Sequence, residues 1–264
     1  MPRFRLLIEY AGTRYSGWQI QKNARTVQGE IDRAVREATG RREFELYGSG
    51  RTDAGVHALA QVAHLELYTD LAPELLRRKI NDELPADIHI RTITKAPHKF
   101  HARHDAVERS YLYQISTRRT AFGKPFVWWI REPLDVEAMR RAADVFGGLQ
   151  NFEAFTADDP EDKSTKVLVE GVEMEQHGAL ILIRVRGSHF LWKMVRRMVG
   201  VLAAVGRGEV KGGDAAVFLD PAHTQTSRPT AAALAAPAAG LFLEGVRYQG
   251  DPPFPAMRPV LVIE

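Results

Sequence analysis

The strongest constraint on the fold of this chain is the order in which its hydrophobic period switches between two residues and about four. In RFRLLIEY, near the N-terminus, Phe4, Leu6, Ile8 and Tyr10 alternate with Arg3, Arg5, Leu7 and Glu9. That is the period of a strand with one buried face. A turn rich in Gly and Ser follows. From Thr26, read as an N-cap, Val27, Ile31 and Val35 recur every fourth residue with Ala34 and Ala38 beside them. This predicts an amphipathic helix that Gly40 ends. Strands are expected over 44–47 and 62–68, a helix from after Pro73 to Leu84 and Pro85, and a strand over 88–93. The first part of the chain therefore reads β-α-β-β-α-β.

After the link KAPHKFHARHDA a similar order returns, with a strand over 111–117, a helix over 136–146 and strands over 167–174 and 180–185. A long helix is predicted over 188–205, where Phe190, Leu191, Met194, Val195, Met198, Val199, Leu202 and Val205 form one stripe and Gly206 stops it. A last strand covers 241–246. No sequence repeat joins the halves. The shared order alone predicts a duplicated α+β architecture, divided near residue 104, with mixed sheets that are either separate or joined across the middle and helices packed on one side.

Composition closes off several chemistries. A chain of 264 residues without cysteine has no disulfide, thiolate nucleophile or cysteine-based metal site, which fits a reducing compartment. Its 36 basic residues only just outnumber its 33 acidic ones, so an anionic partner must be argued from placement, not net charge. The N-terminal apolar stretch is short and strand-like, so no export signal is expected. The longest uncharged run, 229–243, is shorter than the ~18 residues of a spanning helix and is broken by Pro237 and Gly240. A soluble, cytoplasmic protein is expected, with no membrane partner.

The chemically informative segment is GSGRTDAGVHA, residues 48–58. Glycines around Arg51-Thr52-Asp53 allow a tight backbone and close approach of a bulky ligand, and they present a carboxylate on a loop. An Asp in an arbitrary glycine loop more often satisfies backbone amides. A phosphate-loop reading fails, because no Gly-Lys-Ser/Thr follows and the next segment reads as a strand.

This loop closely resembles the signature of the tRNA pseudouridine synthase A family, where the Asp is the catalytic nucleophile. The resemblance continues through IEYAGTRYSGWQIQ (8–21), KINDELPADI (79–88), FHARHDAVERSYLYQI (100–115), FLWKMVRRMVGVLAAVGRG (190–208) and APAAGLFLEGVRY (236–248). It implies the pseudouridine synthase fold, with two similar α+β halves, a mixed and mostly antiparallel sheet, flanking helices and a catalytic cleft between the halves. Residues 1–104 would carry the Asp loop, and 105–264 the Tyr strand and the Arg helix. The implied activity is isomerisation of uridine to pseudouridine at positions 38, 39 and 40 of the tRNA anticodon stem-loop, by a homodimer without a cofactor.

The reaction suits a carboxylate. The N1–C1′ bond must break, the uracil rotate and C5 join C1′, with no outside atom and no redox change. A carboxylate can add to the base, attack C1′ or remove a ribose proton. By resemblance, Asp53 takes this part, Arg196 is the arginine that pairs with it and Arg51 supports the flipped nucleotide. Tyr111 stacks on the target uracil and acts as a base, while Tyr113 is read as core. Arg197 is read as a solvated helix-face arginine. The segment 12–25, with Tyr15, Trp18 and Gln19, is the RNA-contacting loop.

Basic residues gather at the link, including Lys99, Arg103, Arg109, Arg118, Arg119 and Lys124; with Arg14, Lys22 and Arg25 they could line a phosphate track. Arg14, Gln19, Arg118 and Arg119 are the candidate substrate contacts outside the catalytic group. HKFHARHD spaces His98, His101 and His104 by three, but it lacks a helical pattern and a clear carboxylate partner set, so no metal is expected. Where the family usually has an arginine near Thr165, this chain has Lys166, and bidentate recognition there is in question. The alanine-rich stretch 231–239 carries no chemical reading. Two rivals remain, a non-catalytic RNA-binding protein and a metal-dependent hydrolase using the histidines.

Overall fold

The computed structural model describes residues 1–157, 164–220 and 229–263, and of 212–214 the backbone alone. The chain separates into two compact units, Met1–Val107 with Phe242–Phe254, and Glu108–Leu241 with Pro255–Glu264.

The first unit runs β1 (Arg3–Tyr10), α1 (Val27–Thr39), β2 (Glu45–Gly48), β3 (His57–Glu66), α2 (Pro73–Glu83) and β4 (Ile88–Ala96), the expected β-α-β-β-α-β order. β1 lies between β4 and β3 and is antiparallel to both. Its alternation does what the sequence predicts: Phe4, Leu6, Ile8 and Tyr10 are all buried. Ile31, Ala34 and Val35 of α1 and Leu76 and Ile80 of α2 are fully buried as well, each large side chain contributing roughly 1.5–3 kcal/mol by leaving water. Thr26 caps α1 by accepting the Gly29 amide at 3.2 Å, and Gly40 closes it in the left-handed region at φ 66°.

In the second unit β5 (Ala106–Ser116) pairs with the short β6 (Trp128–Trp129), then come α3 (Val136–Ala143), β7 (Gly148–Asn151), β8 (Lys166–His177), β9 (Leu180–Gly187) and α4 (Met194–Gly206). β5, β9, β8 and β7 are antiparallel neighbours in that order. α4 is buried around its whole circumference except at Arg196, as expected of a central helix and not of a surface one. β10 (Leu241–Tyr248) returns the chain to the first unit, where Phe242 and Leu243 pair parallel to His57 and Ala58.

Several boundaries differ from expectation for identifiable reasons. β3 starts at His57, not 62, because HALAQ carries little hydrophobic signal yet pairs with β1, Tyr10 opposite Ala58 and Ile8 opposite Gln61. α4 starts at Met194, not 188: Lys193 sits at φ 64°, and the Phe190 ring packs edge-on against Tyr111 instead of extending the stripe. β7, with the sequence GLQN, has no strand signal and exists through its pairing with β8. The helix expected over 136–146 is α-helical only to Ala143, and its last turn, Asp144–Phe146, tightens to 3-10.

The alanine-rich stretch proves to be structural. A Cβ on Gly200 of α4 would lie 1.9 Å from the Leu234 carbonyl oxygen, so this segment crosses the helix in direct backbone contact. Small side chains are required there: Ala231 and Ala236 are buried, and the Ala236 amide donates to the Arg196 carbonyl at 2.9 Å.

Candidate functional site

The loop carrying Asp53 joins β2 to β3 and is held from both sides. On its own side, the Ser49 amide donates to the Val62 carbonyl at 2.7 Å, the Ser49 hydroxyl to Gln61 Oε1 at 2.7 Å, and Gln61 Nε2 to the Gly50 carbonyl at 3.0 Å. Thr52 is buried, with its hydroxyl 2.8 Å from that of Tyr10. Gly55, at φ 79°, follows Asp53, and the Val56 amide closes the turn onto the Asp53 carbonyl at 3.1 Å.

The second clamp is residues 12–18. The Trp18 amide donates to the Thr52 carbonyl at 3.1 Å, the Gly55 amide to the Tyr15 carbonyl at 3.2 Å, and the Gly12 amide to His57 Nδ1 at 3.0 Å. This closeness depends on two glycines. A Cβ on Gly17, itself at φ 90°, would lie 2.5 Å from the Thr52 carbonyl oxygen, and one on Gly12 would lie 1.9 Å from that of Val56. Asp53 is thereby left half-buried and Arg51 exposed on a fixed backbone, the condition for holding a reacting group in one geometry.

The same packing corrects the reading of the 12–25 segment. Tyr15 and Trp18 are 4% and 1% exposed, so their rings pack beneath the Asp loop and are not open to stacking by RNA bases. The Tyr15 hydroxyl donates to Asp87 Oδ1 at 2.5 Å, and Arg14 Nη2 to Oδ2 at 2.8 Å. Burial and the Asp87 contact raise the Tyr15 pKa. Burial alone would raise that of Asp87, but hydrogen bonds from Tyr15 and Arg14 outweigh it and hold the carboxyl below its ordinary value. Arg25 pairs with Glu30 at 2.6 Å and lies 5.0 Å from the Tyr15 ring centroid. Gln19 is half-buried.

The other sequence-predicted residues lie in the second unit. On β5, Tyr111 is 9% exposed and meets Phe190 edge-on at 5.1 Å between centroids. Tyr113 is fully buried, and its hydroxyl donates to the Pro237 carbonyl at 2.8 Å. Burial raises the Tyr113 pKa well above its ordinary value, against the pull of the Arg196 charge. Arg196 is half-buried and grips the same segment twice: Nε donates to the Ala236 carbonyl at 2.7 Å, and its own carbonyl accepts the Ala236 amide.

Arg197 is not the solvated arginine its position suggests. It is 9% exposed, and its guanidinium donates to the Ala154 carbonyl at 3.0 Å and to that of Thr156, with burial lowering its pKa. Arg118 and Arg119 are exposed at the end of β5, Arg118 donating to the Arg119 carbonyl at 3.3 Å and Arg119 lying 5.6 Å from the Trp129 ring centroid. Lys166 is exposed at the start of β8.

The histidines form a ring cluster. His101 is 4.2 Å from His104 and 4.7 Å from His64, centroid to centroid. His64 Nδ1 accepts the Ala102 amide at 3.1 Å, and His101 Nδ1 accepts those of Arg103 and His104 at 3.2 Å. Burial, with the neighbouring His101 and Arg3 charges, lowers the His64 pKa to about 4. Among the described residues no three His, Asp or Glu side chains are grouped to hold a metal, and none of the helices is long and apolar enough to cross a membrane.

Comparison with known proteins gives this geometry a context. The sequence model of a family described as tRNA pseudouridine synthase matches residues 6–105 and 142–249. Those segments contain Asp53 and Arg196, and Tyr111 falls between them. A protein of Beijerinckia indica named tRNA pseudouridine synthase A is 38% identical over 251 residues, covering 94% of each chain. Proteins of the same name are 38% identical in Paramagnetospirillum magneticum, over 95% of this chain and 97% of the relative, and 39% identical in Rhodopseudomonas palustris, over 94% and 100%.

Proposed function

Since the chain belongs to the tRNA pseudouridine synthase family and is an isomerase of tRNA uridines, we propose that it acts at positions 38, 39 and 40 of the anticodon stem-loop with Asp53 as its nucleophile. The observation that supports this most is the double clamp on the Asp53 loop, with Gly12 and Gly17 admitting backbone contact that no other residue would permit. A carboxylate so fixed needs no reorganisation when a flipped uridine arrives, and flipping is required because the target atoms are inaccessible in a stacked stem.

In this reading the Asp53 carboxylate forms a covalent bond to the substrate while the N1–C1′ bond breaks. The freed uracil rotates, C5 joins C1′ as the enzyme bond is released, the C5 proton leaves to a base, and N1, left with the electron pair of its broken bond, takes up a proton in return. Atoms and electrons balance without a cofactor. Arg51 supports the flipped nucleotide. Arg196, kept in place by its two bonds to Ala236, supplies the positive charge that keeps the Asp53 carboxylate ionised in a closed site. Tyr111 stacks on the uracil and accepts the C5 proton. Arg14, Gln19, Arg118 and Arg119 contact the RNA beyond the target. The Asp loop belongs to a half comprising 1–104, and the Tyr strand and Arg helix to one comprising 105–264. The enzyme works in the cytoplasm as a homodimer with tRNA across both subunits.

The experiment is to incubate the pure protein with unmodified tRNA and map pseudouridine. Modification confined to positions 38–40 is expected. Pseudouridine elsewhere would refute the stem-loop assignment, and none at all would favour a protein that only binds RNA.

A further inference from the structure

Beside the Asp53 loop, on the face formed by β2 and the link after β4, is a recess of about 160 Å3. Trp18 makes its floor. The ring lies 2.7–2.8 Å from where a Cβ on Gly48 would be, so it packs directly against the Gly48 backbone, a closeness that needs glycine. Tyr47 stands at its edge, 50% exposed. The register of β2 places Tyr47 opposite His64, and the two rings stack at 5.3 Å and 25°, with His101 at 5.9 Å. Arg51 and Arg103, both exposed, complete the lining with His101 and Gln19, and no lining residue is acidic.

This is an aromatic platform next to two guanidinium groups, the combination that holds a nucleotide by its base and its phosphate. His101 adds a donor. Its Nδ1 accepts two backbone amides, so the proton of the neutral ring is on Nε2. Burial and the neighbouring His104 lower its pKa, which favours that neutral form. The recess is well below the roughly 300 Å3 of a typical small-molecule site, so it suits one group of a larger ligand and not a free cofactor. Arg51 is two residues from Asp53, at most about 7 Å along the backbone, within the reach of one nucleotide step.

We propose that this recess is a subsite for a nucleotide flanking the target uridine, with its base on the Tyr47 ring and its phosphate held by Arg51 and Arg103. The proposal rests on the reading of the chain as a tRNA-modifying enzyme. It adds a contact that fixes which uridine reaches Asp53.

The test is a binding cycle. Anticodon stem-loop RNAs, each lacking one base on either side of the target, are titrated against wild type and Tyr47→Leu. Tyr47→Leu should weaken binding of the intact RNA roughly 5- to 150-fold, the range for one base stacked on an aromatic ring. One abasic position should weaken wild type by a similar factor yet add little to the Tyr47→Leu loss. Tyr47→Trp, which keeps a ring, should retain that coupling, and it serves if the Leu variant folds poorly. Arg103→Gln should lower the slope of log K against log salt by about 1. Tyr68→Leu, which alters another exposed tyrosine, is the control and should bind like wild type. Additive losses at every abasic position, or wild-type affinity in Tyr47→Leu, would overturn the subsite. If wild type forms pseudouridine in the same RNA while these results fail, only the subsite is lost. If wild type forms none, the underlying reading fails.

Discussion

Replacing Gly12 with alanine adds one methyl group and should disable the enzyme without touching Asp53. A Cβ at this position would lie 1.9 Å from the Val56 carbonyl oxygen and 2.6 Å from its carbon, where 3.0 Å is about the closest approach real structures tolerate. The obstacle is backbone, so no rotamer relieves it, and the 53–56 turn or the 12–18 segment must retreat by about 1 Å or more. The Gly12 amide would then pull away from His57 Nδ1, now at 3.0 Å. Overpacking of this kind costs about 1–3 kcal/mol, which in a protein of this size lowers Tm by roughly 2–10 °C. The catalytic effect should be larger than the loss of stability suggests, because about 1 Å of misplacement of a reacting group can cost on the order of 100-fold. Single-turnover tritium release from C5-labelled tRNA, measured well below the variant's Tm, separates the two effects. Gly147→Ala is the control, since the nearest atom to its Cβ is an ordinary contact at 3.4 Å. If Gly12→Ala turned over like wild type, the Asp53 loop would not need this clamp and the argument for a rigidly held carboxylate would collapse.

The folded pKa of His64, about 4, lies below the ordinary 6.5, so the unfolded chain takes up the proton first. Its contribution to stability is complete above about pH 6.5 and is lost as pH falls toward and through 4, amounting to about 3 kcal/mol. His64→Asn should flatten the denaturation free energy over that window, and parallel curves would show that His64 does not drive the acid loss. Arg196→Met should lower turnover roughly 100- to 1,000-fold with tRNA affinity retained, the effect of removing one preorganised charge; an equal loss in both would make Arg196 a binding residue. Tyr111→Phe keeps the stacking ring and should bind tRNA normally but release C5 tritium much more slowly. Wild-type release would reduce Tyr111 to a stacking platform.

Local signals explain which parts of the fold could be read from sequence. Thr26 and Gly40 bracket α1 because capping and left-handed closure are carried by single residue types, and β1 is visible because its alternation is uninterrupted. The first residues of β3 were hidden because His57 and Gln61 are polar, and they are buried only through tertiary partners, His57 under the Gly12 amide and Phe242, Gln61 beneath Ser49. Arg197 looked like its neighbour Arg196 until loop carbonyls from another segment were placed beside it. The glycines at 12 and 17 were visible, but their purpose was not: a close approach involves two segments, and a linear pattern reveals only one. Tyr47 and Arg103 line one recess although more than fifty positions separate them, which no local pattern signals.

If the Asp53 carboxylate is the group that attacks the substrate, Asp53→Asn should stop the reaction while leaving the fold intact. Asn has nearly the same shape and still accepts hydrogen bonds, so the clamped loop and the RNA contacts should survive, but it has no anionic oxygen. The measurement is pseudouridine formed per enzyme in unmodified tRNA, alongside the tRNA dissociation constant of the same preparation. Turnover below a few per cent of wild type is expected, with affinity essentially unchanged. An Asp53→Asn enzyme that still converts uridine at a substantial fraction of the wild-type rate would contradict it, and the nucleophile would have to be sought elsewhere in the chain.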